Sequence, residues 1–474
     1  MMGIAGLLAV LALAAPVSRQ AGDFEARFQA ARTALARDLE AHAQWCHDEE
    51  LFLDKQKAYE LLLTLEPEHE AAHKALGFTK EKGSNAWKPP AKAKAFRNFD
   101  KKAEAEGATR WQALIAKYVE AMAALTETSG LPREQRDRAA AEALRFDPEN
   151  ARVHAVLGEV KSEKGVWVMP ETERARVRRA EIAGFVKKAL EEAPIAAPVD
   201  LNAREQAIPL PMKAVATPRL RVVGTVGEDE LLLAAQAVCG IETLAHLALD
   251  AKYRLPADTT VFLFLDPSQK NAFLEHHPAV GKEKVAGYEI LEGAGIPGTN
   301  DFAFWTGDSQ RRIDGVVRLV LGYLMSGSYE ITVLHGWAYE GFGLYLTRSL
   351  VRTRMTWLAA TSAARDVQAD MALRQKLLDP ESNWMEEGYL LLSGPTPPKL
   401  NELLKKTANE LSTEDVLASY VLASYLIEVR ADKLPRMLER MGNGYEAFGA
   451  LVEMEGMDLE SFQRQLVRWL AERR

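Results

Sequence analysis

Glu340 is the residue here whose surroundings most demand a chemical explanation. It stands alone among Trp337, Phe342, Leu344, Tyr345 and Leu346, and a carboxylate inside that much apolar surface needs a partner. Metal chemistry would require ligands one helical turn apart, so that both face one ion. Of the nine histidines, His69 and His73 alone have that spacing on a helix. They lie beside Glu66, Glu68 and Glu70 at the polar start of that helix, where a solvated face is the expected outcome. His335 precedes Glu340 at a spacing that puts the two on different helical faces. His276 and His277 end a helix just before Pro278, which suits a C-terminal cap. Ser326-Gly327-Ser328 sits in a connecting turn without the strand–turn–helix context of a nucleophile elbow. Cys46 and Cys239 form no C-x-x-C pair; two separate thiols are expected, with a single disulfide between them left open.

Residues 316–346 read as two apolar helices joined by a short polar turn. In the first, Val316, Val317, Leu319, Val320, Leu321, Leu324 and Met325 leave almost no polar face, so it should be buried on all sides. The second carries Trp337-Ala338-Tyr339-Glu340-Gly341. This layout resembles the core of gluzincin-type zinc metallopeptidases, in particular the "peptidase MA-like" group, where a HExxH helix is followed by a W-x-x-E-G helix. In that chemistry two His hold the metal and a Glu activates its water. Aligned on the second helix, those positions fall on Arg318, Leu319 and Gly322, and Glu340 takes the place of the third ligand. The resemblance therefore implies a peptidase-type domain without catalytic residues and without zinc. It also implies that Arg318 lies where the metal would sit, paired with Glu340, with Gly322 vacating space for the longer side chain. The strand around 301–306 would run along the cleft edge, making Phe302, Phe304 and Trp305 a candidate peptide-binding strand. The alternative is a working metal-dependent hydrolase with another ligand set; it needs about three protein ligands, and this alignment supplies Glu340 alone.

The elements that would position these residues follow in chain order. Residues 1–20 begin with an apolar run closed by Ala12-Leu13-Ala14, the pattern of a secretory signal peptide. It places the protein in the periplasm or cell envelope, or outside the cell, with no stable membrane span once removed. Residues 21–190 have helical spacing and an internal repeat: Pro67 with Pro148 and Gly77 with Gly158 share an offset of 81 residues (148 − 67, 158 − 77), and Gly83 with Gly165 and Trp87 with Trp167 follow within one residue of it. Each Pro restarts a helix, each Gly ends or bends it, and each Trp should fold back over the apolar seam. The units resemble tetratricopeptide-type hairpins, which implies a protein- or peptide-docking platform. Residues 191–219 hold Pro194, Pro198, Pro209, Pro211 and Pro218 and read as a linker.

Residues 220–474 alternate strands with helices and then become helical to the end, and the ending at Trp469-Leu470 resembles the peptidase MA-like C-terminus. The expected fold is mainly α with an α+β domain: helical-repeat hairpins, then a small mixed sheet with helices packed on it. The 474 residues carry a net charge of −8, which argues against a general nucleic-acid binder. The basic run of residues 88–102 is answered by acids and reads as solvated. The functional expectation is a non-catalytic, exported scaffold for an unidentified protein or peptide.

Overall fold

The structure is a computed structural model that describes residues 5–81, 86–90, 96–266, 268–280, 288, 292–352, 367–379 and 381–473. Gly83 and residues 91–95 of the basic run lie outside the described residues, as do residues 1–4 of the apolar N-terminal run. The chain is mainly helical with a small mixed sheet, and it divides into two compact units, Met1–Pro170 and Glu171–Arg474.

The first unit contains the repeat twice. Helices α1 (Ala5–Asp48), α2 (Phe52–Leu65) and α3 (Glu70–Leu76) are followed by strands β1 (Thr79–Lys80) and β2 (Trp87–Lys88). Then α4 (Lys101–Thr126), α5 (Arg133–Phe146) and α6 (Ala151–Leu157) are followed by β3 (Val160–Lys161) and β4 (Trp167–Val168). His69 and Asn150 cap the short helices, accepting from the Ala72 and Val153 N–H groups, and Gly77 and Gly158 end them at φ 84° and 76°. That left-handed conformation favours glycine. Each glycine therefore launches a β-hairpin, which the helical reading did not anticipate. The tryptophans fold back on the short helices, as expected. They stand on the second strand of each hairpin and stack on a histidine: His73 on Trp87 at 4.4 Å, His154 on Trp167 at 4.2 Å. Each histidine donates from Nε2 to a repeat proline carbonyl, Pro67 at 2.7 Å and Pro148 at 2.9 Å. Lys80 pairs with Trp87 and Lys161 with Trp167, so the second hairpin is one residue tighter. This accounts for the tryptophan offset, which is one residue shorter than that of the prolines.

The second unit opens with α7 (Pro170–Glu191), then β5 (Ala197–Val199), α8 (Ala203–Gln206), β6 (Lys213–Ala216), β7 (Leu220–Gly224), α9 (Glu228–Leu249), β8 (Thr259–Phe264), α10 (Gln269–His276), β9 (Gly293–Gly295) and β10 (Asp301–Trp305). Helices α11 (Ser309–Tyr329), α12 (Gly336–Val351), α13 (Val367–Leu378), α14 (Trp384–Ser393), α15 (Leu400–Leu403), α16 (Thr413–Val429), α17 (Leu434–Gly442), α18 (Ala447–Glu455) and α19 (Leu459–Arg473) complete it. The strands form one sheet in the order β5-β6-β7-β8-β10-β9, with β7, β8 and β10 parallel. Strand side chains alternate between faces. Val261, Leu263, Phe302 and Phe304 join the core of α9, α11, α12 and α16, while Phe262, Phe264, Ala303 and Trp305 pack with Phe273 and Leu274 of α10. Covered on both faces, β8 and β10 read as continuous apolar runs. Helix α9 is long and apolar enough to cross a membrane by length and composition, and here Leu231, Val238, Ile241 and Leu244 are core residues beside the sheet.

Two sequence expectations change. The stretch 191–219 is not a linker, and the division falls at Pro170 and Glu171. Ala175, Ile182 and Ala189 of α7 belong to the second unit's core, and the proline-rich stretch supplies β5, β6 and α8. Proline density marks places where backbone N–H groups go unused, and an edge strand such as β5, with Pro198, is one of them. The second change concerns β10, which is an interior strand between β8 and β9. Phe302, Phe304 and Trp305 are buried and cannot form a cleft-edge peptide-binding strand. The edge on that side is β9.

Cys46 and Cys239 are free thiols, and burial pushes both up to about 11. At pH 8 only about one part in a thousand of such a thiol is ionised. Dithiobis(nitrobenzoate) should therefore leave both unreacted in the native protein and titrate both after unfolding; prompt reaction of the folded chain would contradict this.

Candidate functional site

Helix α11 starts where Asp308 accepts the Arg311 N–H, and it runs through the core with three buried charged residues, Arg312, Asp314 and Arg318. Each charge must find a partner inside. Arg312 donates two hydrogen bonds to Glu230 of α9, at 2.6 and 2.9 Å. Arg318 faces α12. Its Nη2 donates to Glu340 Oε2 at 2.6 Å, and the two side chains are 1% and 0% exposed. The structure thus brings together Arg318 and Glu340, the two residues expected to pair across the helices.

The space for this contact comes from a different glycine than the sequence suggested. A Cβ at Gly343 would lie 2.6 Å from the Arg318 guanidinium carbon, so the guanidinium rests on the bare backbone of α12. A Cβ at Gly322 would instead meet the Tyr339 ring and hydroxyl at 2.7 Å. Gly322 makes room for Tyr339, not for Arg318. The reason is helix geometry: one turn beyond Arg318, α11 faces an earlier turn of the antiparallel α12. Burial pushes the Tyr339 phenol up to about 12, with Arg318 opposing and Glu340 adding to the shift. Leu319 is half-buried against the core.

These side chains define what the site can do. A guanidinium is a hydrogen-bond donor that offers no lone pair to a metal. Glu340 already spends one oxygen on a charge-assisted hydrogen bond, and Leu319 offers no proton acceptor. Arg318 Nη1, Glu340 Oε1, Trp337 Nε1 and Thr347 Oγ1 are buried without a hydrogen-bond partner among the described residues. The pair therefore makes one short contact rather than the two of a bidentate fork. Among the described residues no group of three His, Cys, Asp or Glu side chains is placed to hold a metal ion.

Gly343→Ala tests the close approach. The added methyl must displace a guanidinium pinned in a core, which should cost about 1–3 kcal/mol. In an Arg318→Met background the penalty should largely vanish. Equal penalties in both backgrounds, measured by urea unfolding, would show that the contact is not the cause.

The remaining sequence candidates lie elsewhere. His335 occupies the N-cap position of α12, and its Nδ1 accepts the Thr332 N–H at 3.3 Å. His73 and His154 are committed to the tryptophan stacks. His277 does more than cap α10: it is buried and donates from Nε2 to Asp301 at 2.8 Å, while Arg204 donates to both oxygens of the same carboxylate at 2.8 and 3.1 Å.

The sequence reading missed a buried acid with several partners. Glu428 of α16 accepts from Arg179 at 2.9 Å, from Arg473 at 3.0 and 3.1 Å and from the Tyr345 hydroxyl at 3.1 Å. The signal was available, since Glu428 is the one acid in the apolar run that follows the first turn of α16. No known protein family, no curated protein and no solved structure matches this chain.

Proposed function

We propose that the Glu171–Arg474 unit is a gluzincin-like, peptidase MA-type domain without zinc, in an exported protein that binds peptide or protein instead of cleaving it. The observation that carries this reading is the buried Arg318–Glu340 contact of 2.6 Å, with the guanidinium seated on Gly343. A permanent cation occupies the carboxylate that the resembling peptidases give to their metal. A sheet edge beside α11 supports the binding half of the proposal. Ile296 N–H and Glu292 C=O bond toward β10, so by alternation the Gly293 and Gly295 N–H groups point away from it. Such an edge can take an extended segment by strand addition. The first unit, with two hairpin repeats that resemble tetratricopeptide units, is proposed to be a second docking platform.

The test uses the purified full chain, immobilised and offered a tryptic digest of whole-cell protein in the presence of zinc. Retained peptides should be intact, and Gly295→Pro, which removes one outward N–H and leaves the β9–β10 ladder in place, should release them. Elemental analysis after gel filtration should find no stoichiometric zinc. Chelator-sensitive shortening of the peptides, or bound zinc lost on Glu340→Ala, would overturn the proposal.

A further inference from the structure

Helices α17 and α18 form a hairpin enclosing a groove of about 340 Å³, formed by residues that the Arg318–Glu340 site does not use. Its floor is soft and apolar: Met437 and Ala450 are buried and Met454 is half-buried. Methionine adapts its shape to different apolar guests. Along one face of α17, Lys433, Arg436 and Arg440 recur at helical spacing and line the groove, with Asp432 and Glu453 as its acids.

The cations are not equally committed. Arg440 is ion-paired with Glu453 across the groove, and its guanidinium lies 4.0 Å from the Tyr445 ring centroid. Lys433 donates to the Met454 carbonyl at 3.2 Å, a neutral acceptor that leaves its charge uncompensated. The Arg436 side chain makes no hydrogen bond or ion pair among the described residues. Three cations against two acids give this groove a local excess of positive charge in a chain of net charge −8. Two aromatic side chains of the same hairpin, Tyr445 and Phe448, are 44% and 40% exposed.

We propose that this groove binds an acidic, amphipathic peptide segment of a partner protein. One apolar side chain of the segment sits on the methionine floor, and a neighbouring carboxylate bridges Arg436 and Lys433. A planar guanidinium without a partner is suited to a carboxylate. The volume is near the lower end of ligand pockets and holds one or two side chains, so the anchor is short and micromolar affinity is expected. The inference rests on α17 and α18 alone, and it can fail or stand independently of the zinc-less peptidase reading.

The experiment is fluorescence anisotropy of a short fluorescein-labelled peptide, in which Leu and Phe alternate with Asp and Glu, titrated with the full chain. Saturable binding is expected, weakening as salt is raised and weakened about tenfold or more by Arg436→Glu. Arg436 makes no internal bond, so the variant should melt like the parent, and Arg436→Lys should retain most of the affinity. Equal binding by parent and Arg436→Glu, equal binding of a peptide with Lys and Arg in place of the acids, or no saturation would each overturn the proposal. A dimer of the free chain that Arg436→Glu dissolves would also overturn it, because the occupant would then be a second copy.

Discussion

Arg318→Met is expected to destabilise the Glu171–Arg474 unit by about 3–5 kcal/mol, while Arg318→Met combined with Glu340→Leu should cost only about 0–2 kcal/mol. The asymmetry follows from burial. With Arg318 gone, Glu340 is left without its partner in a site where its side chain has no exposed surface. With both charges gone, two apolar side chains of similar length fill the same space and no desolvation cost remains. The one-contact geometry strengthens the expectation, since Arg318 Nη1 and Glu340 Oε1 lack partners among the described residues and the pair is only partly compensated. The measurement is a double-mutant cycle by urea unfolding, fitted to the transition of this unit. A double variant that loses the sum of the two single losses would sink the idea that the pair replaces a metal as the tie between α11 and α12.

The second large effect belongs to Glu428. Arg473→Ala alone should cost about 1 kcal/mol, because Arg473 is partly exposed and Arg179 still neutralises the acid. Removing Arg179 and Arg473 together should cost about 3–5 kcal/mol, since a carboxylate with 0% side-chain exposure then has only the Tyr345 hydroxyl. The loss should be strongly non-additive. Simple additivity would mean that the two arginines act through packing, not by serving one charge.

Burial, and next the Glu428 charge, hold the Tyr345 phenol well above its ordinary value. A raised phenol binds its proton more tightly in the folded state. Its contribution is therefore complete below a pH of about 10 and is lost as pH rises toward the folded value. Stability of the parent should decline more steeply above that pH than stability of Tyr345→Phe, a difference that unfolding curves at pH 9 and 11 can resolve.

The sequence by itself determined the local features. The proline and glycine offsets located two copies of one unit, because a left-handed helix end needs glycine and a first helical turn accepts proline wherever they occur. The apolar runs of α11, α12 and β8 marked a shared core, because burial on all sides leaves no position for a polar residue. A lone acid in such a run called for a partner, and the resemblance to the metallopeptidase helix pair pointed to Arg318. What only the tertiary structure decided depends on which surfaces meet. Gly343, not Gly322, receives the guanidinium, because the antiparallel helix pair fixes which turn faces which. Strand β10 lies inside the sheet because β9, too short and glycine-rich to read as a strand, pairs along its outer side. The proline-rich residues 191–219 supply the sheet edge at Pro198 rather than a linker, since the sequence signal for an unused N–H is the same in both. Glu428 gathers Arg179, Tyr345 and Arg473 from three separate helices, a convergence that packing creates and that no sequence spacing encodes.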